Sequence, residues 1–167
     1  MAKVKPEDAA MLLIDHQVGT MGWVRSIELE EMKSNARALA KTAKELDMPV
    51  VLTSSMEDQA QGPLFPELEE ILPEAYAQRI KRGGIVNCWE DPEYSAAAKK
   101  SGRKTLIVAG VTTDVCLAPP AISMLEDGYR VIAVVDASGS PTKMSDDIAI
   151  RQLFAHLQKN SKLNGWY

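Results

Sequence analysis

Four short, almost wholly apolar segments recur along the chain, separated by stretches with helical periodicity. They are residues 9–15 (AAMLLID), 49–54 (PVVLTS), 105–109 (TLIVA) and 131–135 (VIAVV). Strands that are apolar throughout, without polar alternation, are buried on both faces, which is the condition of a parallel sheet covered by helices. Residues 76–82 are a weaker strand candidate, because only Tyr76, Ala77 and Ile80 are apolar. Between the strands, residues 27–47 place Ile27, Leu29, Met32, Ala36, Leu39, Ala40, Ala43 and Leu46 at steps of mainly three and four, an amphipathic helix. Residues 92–101, 114–127 and 146–160 read as further helices, the first two stopped by Gly102 and Gly128. Residues 56–73 hold three prolines and one glycine and read as an excursion with one helical turn after Pro66. The pattern predicts an α/β fold, with a mostly parallel sheet and helices on both faces.

A chain of 167 residues is expected to form a single domain over 1–167 and to need no disulfide or metal to fold. With 46% hydrophobic and 25% charged residues, it is neither a disordered tail nor a small disulfide scaffold. Nineteen Lys and Arg against 23 Asp and Glu leave a net charge of −4, which argues against nucleic acid as a partner. No apolar run approaches the roughly 18 residues of a membrane span. Pro6, Glu7 and Asp8 interrupt the N-terminus too early for a signal peptide. Cys88 and Cys116 form neither a disulfide framework nor a metal-spaced pair, so a reducing, cytoplasmic compartment is expected. Two histidines, His16 and His156, cannot build a multi-histidine zinc site, and no metal or cofactor is expected.

In sheets of this kind the working site lies beyond the carboxyl ends of the strands. The residues to weigh are therefore 15–17, 54–58, 81–89, 110–116 and 136–140. Asp15 ends the first strand, where partial desolvation can make a carboxylate a general acid or base; the alternative is a turn cap. Cys116 follows TLIVA and Gly110 at the expected start of a helix, whose N–H groups lower a thiol pKa and can bind an oxyanion. Its alternative is a small packing residue. Lys81 and Arg82 end the third strand candidate and offer a cation, or a solvated strand end. Gln17 and Trp89 are candidates for the substrate pocket, Trp89 equally for the core. Cys88 reads as inert packing. His16 adjoins Asp15, but neighbours on a strand point to opposite faces, so a structural role is expected. His156 lies in a helix and reads as solvent-facing. Neither a phosphate-binding glycine loop nor a GxSxG elbow occurs.

LLIDHQVG at 12–19, IVNCWEDP at 85–92, LIVAGVTTDVCLAPPAISMLEDGYRV at 106–131 and VVDASGS at 134–140 together resemble the isochorismatase-like cysteine hydrolases. The likeness covers about residues 8–155 and is nearest to the small bacterial hydrolases of unassigned substrate. It implies a three-layer α-β-α Rossmann-like fold with five or six strands, and an Asp–Lys–Cys triad. Asp15 matches the aspartate and Cys116 the nucleophile. Either Lys81 or Arg82 fills the basic position, depending on a one-residue gap; the family pattern favours Lys81. The resemblance also implies a non-proline cis peptide before Thr112, which would aim the Thr112 and Cys116 N–H groups into an oxyanion hole. The loop SSMEDQAQGP lacks the histidine of the metal-binding nicotinamidases, and the chain ends at NSKLNGWY, where family members commonly add a sixth strand and a final helix.

The function implied is hydrolysis of a C–N amide bond in a small molecule by a homo-oligomer. Two alternatives are an idle binding or scaffold protein that keeps the fold, and a redox-sensing thiol protein using Cys116. Strand alternation allows only one of Lys81 and Arg82 into the site. Replacing each singly by Ala should therefore give unequal losses of activity, ~10²–10⁴-fold for the residue inside. Equal, small losses would remove the basic member from the triad.

Overall fold

The computed structural model describes residues 4–163. Its regular elements run β1 (Ala9–Ile14), α1 (Val18–Gly22), α2 (Leu29–Glu45), β2 (Val50–Ser55), α3 (Pro66–Ile71), α4 (Pro73–Ala77), β3 (Ile80–Arg82), α5 (Pro92–Lys100), β4 (Thr105–Gly110), α6 (Ala118–Glu126), β5 (Arg130–Ala133) and α7 (Lys143–Leu163). The five strands form one parallel sheet in the order β3-β2-β1-β4-β5. This is the α/β architecture that the apolar strand pattern predicts.

Strand β1 lies at the centre of the sheet, and all six of its residues are buried. Its side chains alternate between two cores. Ala10, Leu12 and Ile14 pack with Tyr94 and Ala98 of α5, Ala121 and Met124 of α6, and Ala149 and Leu153 of α7. Ala9, Met11 and Leu13 pack with Met21 of α1, with Met32, Ala36, Ala40 and Ala43 of α2, and with Leu68 of α3. A strand sandwiched in this way needs apolar residues at every position, which is why it carries no polar alternation. The buried alanines of α2 sit at four- and three-residue steps after Met32 and let the helix lie close against the sheet.

The observed elements depart from the sequence pattern in two places that matter for the site. Tyr76 belongs to α4, which Pro73 opens, so β3 is only three residues long. The expected helix over 114–127 is helical from Thr113 to Glu126, so it opens one residue early, and not in α form. A five-residue wide turn, Thr113–Leu117, comes first, and α6 begins at Ala118. Pro119 and Pro120 bear on the change of form. They lack the N–H groups that would bond the carbonyls of Val115 and Cys116 in α form, and both fall in the first turn of α6, where a missing donor costs least. Five strands are present among the described residues. Residues 164–167, on which the possible sixth strand bears, lie outside them. No helix among the described residues is long and apolar enough to cross a membrane.

Gly110 ends β4 directly beneath the wide turn. A Cβ there would meet the Cys116 carbonyl oxygen at 2.7 Å and its carbon at 2.9 Å, both backbone atoms that cannot swing aside. Gly110→Ala is therefore expected to lower stability by about 1–3 kcal/mol in urea unfolding. An unchanged unfolding midpoint would mean that the turn is free to lift away from the sheet.

Candidate active site

The sheet order brings three strand ends to one rim. Asp15 follows β1, Arg82 closes β3, and Cys116 lies in the wide turn after β4. At Asp15 the backbone enters the left-handed region, with φ +57°, a conformation aspartate tolerates better than most residues. Its N–H still donates to Thr53 of β2 at 3.0 Å, so the turn is anchored to the sheet. Arg82 meets the Asp15 carboxylate in a two-pronged contact, Nη1 to Oδ1 and Nη2 to Oδ2, each at 2.8 Å. Nη1 also donates to the Thr53 hydroxyl at 3.3 Å, and that hydroxyl donates to the Ile80 carbonyl. The Cys116 thiol lies beside the Asp15 carboxylate, close enough for each to shift the other's pKa. The peptide bond between Val111 and Thr112 is cis, as the resemblance implied.

The expectation for Lys81 is corrected by this geometry. Its amine points away from Asp15 and pairs with Glu57 at 3.2 Å, with the side chain 62% exposed. The Arg82 and Asp15 side chains are 1% and 3% exposed. Alternation on β3 is the reason, and its signal lies in the sequence: Ile80, the apolar residue of the strand, packs against the core, and the residue two positions on shares its face. Glu57 also receives both prongs of Arg79, at 2.6 and 3.0 Å, and a bond from the Ser54 hydroxyl. The Arg79 contact above all holds its carboxyl down at about 2.

Trp89 is likewise corrected from pocket to core. Its ring packs edge-on against Tyr94 and Tyr129, and its indole N–H donates to Asp127. Gln17 does line the cavity, but its amide is engaged with the backbone. It accepts from the Ser55 N–H and donates to the carbonyls of Ser55 and Gly62, which ties the segment after β2 to the rim. The Cys116 N–H is not open to a substrate oxygen. It donates to the Thr112 carbonyl at 2.7 Å, which also accepts from Leu117 across the wide turn. The Thr112 backbone instead hydrogen-bonds the sulfur. His16 is fully buried beside Asp15, with Nε2 donating to the Ala137 carbonyl at 2.8 Å. Burial pushes its pKa down to about 4, so it is a neutral structural residue at ordinary pH. Cys88 is fully buried, and desolvation raises its pKa to about 12. Thr53, the hydroxyl that joins Arg82 to β2, carries no motif that sequence reading could have found.

Two effects oppose each other on Asp15. Burial raises its pKa, while the Arg82 charge and the adjacent Cys116 thiol lower it; burial prevails, and the pKa is raised to about 6. Burial also raises the Cys116 pKa well above that of a free thiol, helped by the negative carboxylate beside it. The helix-start argument fails here because the nearest N–H groups of the wide turn are spent on Thr112. The resting pair is therefore a thiol next to a carboxylate poised near neutrality, which can take and return a proton.

A cavity of about 360 Å³ opens over the pair, lined by residues following β1, β2, β3 and β4 together with Thr20, Trp23 and Pro141. A larger concavity, about 410 Å³, sits among Lys44, Met48, Val50, Leu72 and Gln78 near the start of β2, with no cysteine among its described lining residues. Asp15, Arg82 and Cys116 all line the smaller one. Among the described residues no three His, Cys, Asp or Glu side chains cluster as a metal would require.

A parallel α/β sheet with a thiol, a carboxylate and a guanidinium at its carboxyl rim defines a class of α/β proteins with a cysteine-centred site. The particular family follows from comparison: the isochorismatase domain matches residues 9–162, and the chain belongs to that family of hydrolases. It is 39% identical to the probable hydrolase YcaC of Escherichia coli (strain K12), over 99% of this chain and 77% of that protein. The crystal structure of E. coli YcaC, described as an octameric hydrolase of unknown specificity, superposes with a TM-score of 0.89 at 40% identity, covering 93% of this chain and 76% of that one. YcaC from Pseudomonas aeruginosa, solved with hexane-2,5-diol and covalent acrylamide, gives 0.88 at 42% identity, covering 92% and 75%. The nicotinamidase of Staphylococcus aureus shares the fold, with a TM-score of 0.72 at 13% identity, covering 90% of this chain and 97% of that one.

The raised Asp15 pKa has a definite sign. Its folded value, about 6, exceeds the ordinary 3.8, so the fold favours the protonated carboxyl. The stability this lends is full below about 3.8 and is lost as pH rises through about 6. Carboxyl ¹³C NMR should show one aspartate titrating near pH 6. Arg82→Gln, which removes the lowering charge, should move that midpoint upward. A midpoint near 3.8, or a downward shift in the variant, would contradict the account.

Proposed function

We propose that this protein hydrolyses a C–N amide bond in a small molecule, with Cys116 as nucleophile and Asp15 as proton carrier. The observation that carries this reading is the buried juxtaposition, at one cavity, of a thiol and a carboxylate whose pKa lies near neutrality. As the sulfur attacks the carbonyl carbon, its proton passes to Asp15 and the carbonyl π pair moves to oxygen. The Thr112 N–H, already directed at the sulfur, donates to that oxygen. When the intermediate collapses, the C–N bond breaks, Asp15 returns its proton to nitrogen, and the amine departs. A thioester remains on Cys116. Water then attacks it, Asp15 takes a water proton, and the acid leaves as the sulfur recovers its hydrogen. The sequence closes without a cofactor or metal.

Arg82 is a positioning residue in this scheme. Both of its terminal nitrogens are held by Asp15, so it fixes the carboxylate and keeps its pKa from climbing further. The covalent acrylamide of the P. aeruginosa relative lends support, since acrylamide is an acceptor for nucleophilic thiols. Cys116 is the thiol that would take it here, because Cys88 is buried outside the cavity. The octameric relative supports a homo-oligomer. In this reading the compartment is a reducing cytoplasm, the partner is a small-molecule substrate, and neither nucleic acid nor a membrane is engaged.

A panel of small amides tests the proposal, with acyl-enzyme trapped by acid quench and mapped by mass spectrometry. The acyl mass should fall on Cys116. Cys116→Ala should abolish turnover, and Asp15→Asn should lower it ~10²–10⁴-fold, both without loss of fold. Wild-type turnover in Cys116→Ala would end the mechanism.

A further inference from the structure

The cavity over Cys116 combines an apolar lip with a surplus of negative charge, and we propose that it selects uncharged acyl groups bearing an apolar chain and rejects anionic ones. For the reaction this rests on the amide-hydrolysis reading; for binding it stands on the lining alone.

The charge argument starts from the cations. Arg82 is the only Lys or Arg among the described lining residues. Its side chain is 1% exposed, its two Nη atoms face Asp15, and its unpartnered Nε is buried, so the guanidinium is turned to Asp15 and shielded from a substrate carboxylate in the cavity. Lys81, its neighbour on β3, is turned to Glu57. The other lining charges are two carboxylates, Asp15 and Asp114. Asp114 is partly exposed, and its carboxylate accepts from the Ser140 hydroxyl at 3.4 Å. One positive charge against two negative leaves a surplus of one negative charge beside a desolvated sulfur. A carboxylate-bearing acyl group would give up water there and gain no ion pair.

The apolar argument starts from exposure. Isolated exposed apolar side chains are ordinary on a protein surface, but a convergent set is not. Trp23, Met56, Ile85, Val86 and Val115 all line this cavity while remaining 45%, 39%, 40%, 66% and 38% exposed. They come from four separate segments, following α1, β2, β3 and β4. Val115 precedes the nucleophile itself. An aliphatic or aryl chain reaching out from a carbonyl at Cys116 would cover these side chains, whereas a compact polar acyl group would leave them wet.

Thiol alkylation tests the pocket without requiring turnover. Rates at Cys116 are read by peptide mass mapping, separately from Cys88, and divided by those of N-acetylcysteine amide, a small uncharged thiol free in solution. Iodoacetamide should be favoured over the anionic iodoacetate about tenfold more at Cys116 than at the small thiol. Val86→Lys, at an exposed position, should shrink that preference. Across N-alkyl maleimides from ethyl to hexyl, the rate should rise by about two- to fourfold per methylene covered, and Trp23→Ala should flatten the rise. A neutral-to-anionic ratio equal to that of N-acetylcysteine amide, or no gain with chain length, overturns the proposal. If these preferences hold and no amide is turned over, the amide reading fails and the pocket assignment stands. If anionic amides are turned over as fast as neutral ones, the pocket assignment fails and the amide reading stands.

Discussion

Asp15 carries a carboxylate to a place where water barely reaches it, and the arrangement of the rim follows from that. An uncompensated buried charge is expensive, and breaking a buried ion pair by removing one partner typically costs about 3–5 kcal/mol. Arg82 supplies the compensation through two equal 2.8 Å contacts, and Thr53 holds the guanidinium in turn. Because Asp15 follows the central strand and Arg82 ends an edge strand, the pair spans β1, β2 and β3. The Cys116 thiol is the third contact, delivered from β4 by the wide turn. The same burial that makes the pair costly is what lifts Asp15 toward neutrality, where proton exchange with a thiol becomes useful.

The local geometry of Cys116 follows from proline chemistry as much as from helix chemistry. Pro119 and Pro120 remove the α-type bonds to the Val115 and Cys116 carbonyls, and the chain runs through a wide turn over Thr113–Leu117 that puts Cys116 over the end of β4 before α6 begins. Gly110 permits the close approach, with the Cys116 backbone where a Cβ would otherwise stand. Turns with i→i+5 bonding recur at functional sites because they displace side chains that a regular helix would aim elsewhere.

Much of the fold was legible in the strands. Residues 9–15, 49–54, 105–109 and 131–135 read as buried strands because burial on both faces leaves no room for polar alternation. The third strand was legible only in part, since Pro73 opens a short helix that takes Tyr76, and a three-residue edge strand has too few residues to show a period. Asp15 and Cys116 were legible from their places after strands. The choice between Lys81 and Arg82 was open to the face shared with Ile80, a local cue that the family pattern outweighed. Trp89 could not be assigned from sequence, because a tryptophan after a strand serves a pocket or a core equally well. The loss of the Cys116 N–H to Thr112 depends on backbone geometry at the turn, which residue types alone do not specify.

The central claim is that Asp15 and Arg82 act on Cys116 as one unit, with the arginine working only through the carboxylate. A double-mutant cycle on single-turnover acylation of Cys116, using an amide that the protein turns over, tests it most directly. Asp15→Asn, Arg82→Gln and the double variant would be compared at one pH above 6. The account predicts a large loss for Asp15→Asn, a smaller one for Arg82→Gln, and a double variant no slower than Asp15→Asn alone. Losses that multiply in the double variant would show that Arg82 acts on the reacting atoms independently and would contradict the account.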